Sequence, residues 1–103
     1  MTDHYDKLVR DQIPEIIERD GETAVTHVAD DDEYQRRLCD KLDEETAEFR
    51  ASGDLEELAD VVEVVSAICT SRDIDPDTLK QRRRAKADAR GGFADRIVLE
   101  RVE

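Results

Sequence analysis

Glu45 and Glu48 are acidic residues at positions where a helical pattern otherwise places apolar side chains. Glu45 stands three residues after Leu42 and four residues before Phe49, so all three share one face of a predicted helix. Glu48 follows one turn after Glu45, at the border of that face. Burying an unpaired carboxylate is costly, so a surface helix has no structural need for these acids there. The spacing therefore indicates carboxylates that do chemistry.

Glu57 and Asp60 repeat the pattern at the beginning of the next predicted helix. They are three residues apart, in a helix that is apolar on nearly its whole circumference through Leu58, Val61, Val62, Val64, Val65, Ala67, Ile68 and Cys69. A helix that is apolar all round is expected to be buried. The connection between the two helices is short, which predicts antiparallel neighbours and brings all four acids to one level.

Four clustered carboxylates cannot all stay ionised without a cation. Ligand sets made only of oxygen favour hard ions such as Mg²⁺ or Mn²⁺, and Mg²⁺ held in this way recruits substrate phosphates. The physical hypothesis is a phosphate-handling metal site in a helical bundle. The structural alternative is a set of solvated acids paired with Arg or Lys, and Glu57 can also serve as the capping partner of Asp54.

Several basic residues are candidates for binding substrate phosphates. Lys41 lies one turn before Glu45 in the same predicted helix, and its alternative is an exposed helix lysine. The other candidates flank the acidic helices on both sides: Lys7, Arg10, Lys86 and Arg90. The glycine pair at positions 91 and 92 is either a turn whose backbone N–H groups approach a phosphate or simply a helix stop.

The elements that position these residues are predicted to be mainly helical. Helices are expected over residues 11–20, 30–51, 55–71 and 76–90, with acidic caps and a proline or glycine at several boundaries. Residues 23–29 and 96–102 carry β-branched or alternating patterns typical of strands and can pair as a small two-stranded ribbon. The predicted fold is a mainly α bundle, with that β ribbon as an option. Cys39 and Cys69 are both expected to be buried, reduced thiols.

The composition is that of a small, strongly acidic chain. Its 103 residues are enough for one domain, predicted to span residues 1–103. The 28 Asp and Glu against 16 Lys and Arg give a net charge of −12, which argues against binding to nucleic acid or to an anionic membrane. The sequence has no apolar run long enough to span a bilayer and no signal-peptide core at its N-terminus, so a cytoplasmic location is expected.

The basic residues comprise only four Lys against twelve Arg. An excess of acids with scarce Lys is typical of proteins adapted to high salt, because salt screens the self-repulsion of the acids. A mildly acidic protein with an acidic site is the equal alternative.

The acidic motifs resemble those of the MazG-like nucleotide pyrophosphohydrolases, in the all-α NTP pyrophosphatase superfamily. The motifs that carry the resemblance read KLDEETAEF and LEELADVVEVV. The opening YDKLVRDQIPEII and the closing ARGGFADRIVLERV resemble a phosphoribosyl-ATP-pyrophosphohydrolase-like subgroup, so the resemblance covers most of the chain. It implies that Mg²⁺ binds through Glu45, Glu48, Glu57 and Asp60. It also implies homodimers or homotetramers whose helices complete a four-helix core.

The same resemblance implies cleavage of nucleoside triphosphates between the α- and β-phosphates, giving the monophosphate and pyrophosphate. House-cleaning of non-canonical nucleotides is the expected role, with Glu45 or Glu48 positioning or deprotonating the attacking water. The first alternative is the phosphoribosyl-ATP pyrophosphohydrolase of histidine biosynthesis, although VVEVV after Asp60 differs from the continuation in those enzymes. The second alternative is a non-catalytic helical dimerisation module.

Overall fold

The computed structural model describes residues 3–103, and its regular secondary structure is entirely helical within that range. The four helices are α1 (Ile13–Arg19), α2 (Asp31–Ser52), α3 (Leu55–Ser71) and α4 (Pro76–Arg90). The prediction of a mainly α fold is confirmed. None of the helices in the described range is both long and apolar enough to cross a membrane.

The helices begin and end at capping residues that can be recognised in the sequence. Asp30 caps α2 by accepting a hydrogen bond from the Glu33 backbone N–H at 2.8 Å, and Gly53 ends that helix in the left-handed conformation with φ 71°. Asp75 caps α4 by accepting a hydrogen bond from the Asp77 backbone N–H at 2.8 Å, and a proline occupies the first turn. The helix expected from residue 11 begins instead at Ile13, and its N-cap is Gln12, whose side chain makes no capping bond.

The main packing contact within the described residues joins α2 to α3 across their short connection. Leu38, Val64 and Cys69 form the buried apolar core of this pair, at 3%, 7% and 5% exposure. The expectation of two buried thiols was wrong for Cys39, which is exposed because it follows Leu38 and points away from the contact with α3. A core of this size covers only one side of each helix.

The apolar circumference of α3 is therefore only half covered in a single chain. Leu58 and Val62 are 42% and 66% exposed, although the sequence pattern predicted burial all round. Val64 follows Val62 by two residues, which turns it to the other side of the helix, where it is buried. An apolar helix that is half exposed leaves surface that water solvates poorly.

The segments predicted to form the β ribbon have no regular secondary structure in the single chain. Residues 23–29 and 96–102 lie outside every helix, and neither forms a strand within the described range. Their apolar side chains are largely exposed, with Val25 at 95%, Val28 at 97% and Ile97 at 84%. Pairing of these two segments as a ribbon stays a prediction.

Residues 27–37 and the N-terminal segment are joined by a small charged network. His27 Nε2 lies 2.9 Å from Glu33 Oε2, and Arg37 Nε donates to the same oxygen at 3.2 Å. Arg37 also donates to the Asp6 backbone carbonyl oxygen and carboxylate, at 2.6 and 3.0 Å. The hydrogen bond from His27, with the added effect of Arg37, outweighs desolvation and holds the pKa of Glu33 below its ordinary value.

We expect Glu33→Gln to flatten the pH dependence of stability on the acid side. The lowered pKa means that the folded state favours ionised Glu33, so the stabilisation is complete above the ordinary carboxyl pKa, about 4.3. It is lost as the pH falls through the lower pKa of the folded protein. Urea unfolding at pH 7 and at pH 3 should show a larger loss for the wild type than for the variant.

Glu18→Gln is the matched control, because the Glu18 side chain is exposed and makes no ion pair in the described part of the chain. Equal acid sensitivity of the wild type and Glu33→Gln would contradict the assignment.

Candidate functional site

Three of the four predicted carboxylates converge where α2 ends and α3 begins. Glu45 from α2 and Glu57 and Asp60 from α3 each offer a carboxylate oxygen, and these oxygens all lie within 4.8 Å of one another. The turn at Gly53 places the two helix ends side by side, which is why residues from separate helices meet. Glu48 is exposed and lies outside this group, so its predicted role as a ligand stays a prediction.

Glu45 is the centre of the group, and its burial is unusual for a carboxylate. It is 6% exposed and is the one buried charged residue within residues 3–103. Oε1 lies 3.2 Å from Lys41 Nζ, whereas Oε2 is buried without any hydrogen-bond partner. A buried carboxylate oxygen without a partner carries a large desolvation cost. The donor set is therefore one that a bound cation would complete.

Three of the five basic residues predicted to bind substrate lie among these acids. Arg10 donates from Nη2 to Asp60 Oδ1 at 2.7 Å. Lys41 Nζ lies between Glu44 Oε2 at 3.1 Å and the Glu45 carboxylate. Lys7 donates to the other oxygen of Glu44 at 2.8 Å. Each of the three cations is thus paired with a carboxylate.

The proton affinities follow from these contacts. The hydrogen bond to Asp60 raises the pKa of Arg10 above its ordinary value. Burial acts to lower the pKa of Lys41, but hydrogen bonds to Glu44 and Glu45 outweigh burial and raise it. The hydrogen bond from Lys7, aided by Lys41 against desolvation, lowers the pKa of Glu44. These shifts all favour the charged forms.

The sequence analysis did not assign Glu44 and Arg37 to the site. Glu44 accepts hydrogen bonds from both Lys7 and Lys41, and Arg37 donates to Asp6. These contacts fix the irregular N-terminal segment, residues 6–10, beside the hairpin of α2 and α3. The i, i+3 spacing of Lys41 and Glu44 is a local signal that could have found the first of them. The pairing with residues 6–10 has no local signal, because it joins residues more than thirty positions apart.

Lys86 and Arg90 are not brought to the acidic group in the single chain. Both lie on α4, which has no buried residue and whose Lys and Arg residues form no ion pair in the described range. The substantial packing between helices in the described range joins α2 to α3 and does not include α4. Their role in substrate binding stays a prediction.

The comparisons with known proteins leave the family open. No protein-family model and no solved structure matches the chain. An uncharacterized protein of Mycolicibacterium smegmatis is 54% identical over 46 residues. Those residues make up 45% of this chain and 47% of the relative, so the match spans about half of the relative's length.

We expect Glu45→Gln and Asp60→Asn each to weaken Mn²⁺ binding by on the order of tenfold or more. Removing a residue that only hydrogen-bonds to a metal ligand already lowers metal affinity by about that much, and removing a ligand should lower it at least as much. Titration calorimetry or the Mn²⁺ paramagnetic resonance signal would measure the affinity. Glu56→Gln is the matched control, because Glu56 is an exposed acid beside Glu57 in the same helix.

Unchanged Mn²⁺ affinity in Glu45→Gln, by protein with a wild-type circular dichroism spectrum, would contradict the assignment. Glu48→Gln in the same series asks whether a fourth carboxylate takes part.

Proposed function

We propose that this chain is a Mg²⁺-dependent nucleoside triphosphate pyrophosphohydrolase, acting in the cytoplasm on non-canonical nucleotides. The observation that carries the proposal is the buried Glu45 carboxylate, whose Oε2 has no partner, inside a group of three carboxylates. The resemblance of the acidic motifs to the MazG-like enzymes agrees with it. Assembly as a homodimer or homotetramer is part of the same proposal.

Glu45, Glu57 and Asp60 are the residues that would hold the metal. They present only oxygen, which suits Mg²⁺ or Mn²⁺ better than softer ions. Because only a few protein ligands would bind such an ion, its remaining coordination positions would be open to water and to phosphate oxygens. Bound Mg²⁺ would supply charge neutralisation on the triphosphate and increase the acidity of water.

The charge balance of the site favours a polyphosphate once a divalent cation is present. Four acids, Glu44, Glu45, Glu57 and Asp60, face three cations, Lys7, Arg10 and Lys41. The formal charge of this set is therefore −1, and a divalent cation changes it to +1. The basic side chains are then less tightly held by carboxylates and can donate to phosphate oxygens.

The proposed reaction is in-line attack of water on the α-phosphorus. The new bond joins the water oxygen to phosphorus, and the bond from the α-phosphorus to the bridging oxygen breaks, so pyrophosphate leaves with that oxygen. A carboxylate accepts the water proton. Glu48 suits this step better than Glu45, because Glu48 is exposed and makes no ion pair in the described range, whereas Glu45 is bound to Lys41.

The two alternatives make different demands on the same site. Phosphoribosyl-ATP contains the same α–β phosphate linkage, so the acidic group serves either substrate and only a substrate panel separates them. A non-catalytic dimerisation module has no use for a buried carboxylate oxygen without a partner, since its desolvation is a cost without a return in stability.

We expect pyrophosphate release from nucleoside triphosphates in the presence of Mg²⁺, tested at low and high salt. The panel should contain canonical and damaged nucleotides and phosphoribosyl-ATP. Glu48→Gln should lower kcat by about 10²- to 10⁴-fold as the loss of the general base, and its Mn²⁺ affinity shows whether Glu48 is also a ligand. Glu45→Gln and Asp60→Asn should lose both activity and metal binding.

Glu56→Gln is again the matched control and should retain wild-type activity. Absence of pyrophosphate release from every substrate, by folded protein that binds Mn²⁺, would leave a metal-binding module in place of the enzyme. Wild-type activity in both Glu45→Gln and Asp60→Asn would exclude this site.

A further inference from the structure

Helix α4 groups three of its basic residues on one side. It carries six Lys and Arg residues against two Asp, in a chain whose net charge is −12. At 3.6 residues per turn, Leu79, Arg83, Lys86 and Arg90 fall within a sector of about 60°, and both aspartates lie on the opposite side. We call the side formed by Arg83, Lys86 and Arg90 the basic face of α4.

The basic face has no partner in the single chain. No residue of α4 is buried, and none of its cations forms an ion pair within residues 3–103. Helices of this length are marginal in water when they stand alone, and most helical stability in proteins comes from packing. The helix therefore needs a surface to pack against.

The surface area of the chain points to a second copy as that surface. The described chain exposes 9552 Å², whereas a monomeric globular protein of its mass exposes about 5,900 Å². Its radius of gyration is 18.1 Å, compared with about 13 Å for a compact domain of this length. The excess is larger than the roughly 1,000–2,500 Å² that each protomer buries in an obligate homodimer.

The complementary charge lies at the candidate site. Residues 43–63 contain nine Asp and Glu against one Arg. The cations that the same copy brings to this region, Lys7, Arg10 and Lys41, are already paired with carboxylates. The region therefore retains a strong negative charge toward any second molecule.

We propose that the basic face of α4 from one copy packs across the acidic site of a second copy. Arg83, Lys86 and Arg90 then supply phosphate-binding cations in trans, so that one copy alone holds an incomplete site. This inference rests on the proposed function, because phosphate binding gives these cations their role in the site. The exposed apolar residues Leu58 and Val62 provide further area for the same association.

Mixing two inactive variants tests the arrangement. Glu45→Gln keeps α4 intact, and the double variant Lys86→Gln/Arg90→Gln keeps the acidic group intact. If α4 acts in trans, random coassembly in a closed oligomer restores about a quarter of wild-type pyrophosphate release, because one site in four combines an intact acidic group with an intact α4. If α4 acts in cis, coexpression restores nothing, and the proposal is overturned.

Lys80→Gln/Arg84→Gln is the matched control for the double variant. It removes the same charge from the other side of α4 and should retain wild-type activity. Wild-type activity in Lys86→Gln/Arg90→Gln would overturn the proposal, as would equal loss of activity in both double variants.

A cross-linking measurement separates failure of this inference from failure of the proposed function. A carbodiimide joins lysine amines to carboxylates in direct contact, and mixing ¹⁴N- and ¹⁵N-labelled copies shows whether a link joins two copies. We expect Lys86 of one isotope linked to residues 43–63 of the other, whether or not the protein hydrolyses nucleotides. Links confined to one isotope, or no link from α4, would overturn the arrangement even for an active enzyme.

Discussion

Burial of the Glu45 carboxylate is the constraint on which the candidate site depends. The face that Glu45 shares with Leu42 packs toward α3, so the side chain is drawn inward with the apolar residues and ends 6% exposed. A charge held there must be matched by opposite charge close by. The Lys41 ammonium group pairs with Glu45 Oε1, whereas Glu45 Oε2 has no hydrogen-bond partner. The acids of α3 and the basic residues around them are arranged about this imbalance.

The N-terminal segment depends on the same hairpin for its position. Residues 6–10 have no regular secondary structure, yet Asp6, Lys7 and Arg10 each reach a partner on α2 or α3. Exposed ion pairs are individually worth only about 0–1 kcal/mol, so their main effect is to orient the segment rather than to stabilise the fold. The segment therefore brings Lys7 and Arg10 to the site, where each forms an ion pair with a carboxylate.

The single chain leaves both charged and apolar surface without a partner. An acidic hairpin and a basic helix repel within themselves and attract each other, while α3 carries more apolar surface than one partner helix can cover. Packing α2 against α3 buries only Leu38, Val64 and Cys69 as an apolar core. Both the charge and the apolar area left over favour association over an isolated chain.

The sequence by itself determined the helices and three members of the acidic group. The capping aspartates at positions 30 and 75 and the glycine at 53 act on their own neighbours, so local pattern sufficed for α2, α3 and α4. The convergence of Glu45 with Glu57 and Asp60 followed from periodicity and a short turn. Only the tertiary structure decided that Glu48 lies outside the group, that Arg10 holds Asp60 and that Cys39 is exposed. These outcomes depend on which side of each helix meets its neighbour and on contacts between residues far apart in the chain, and helical spacing alone carries neither.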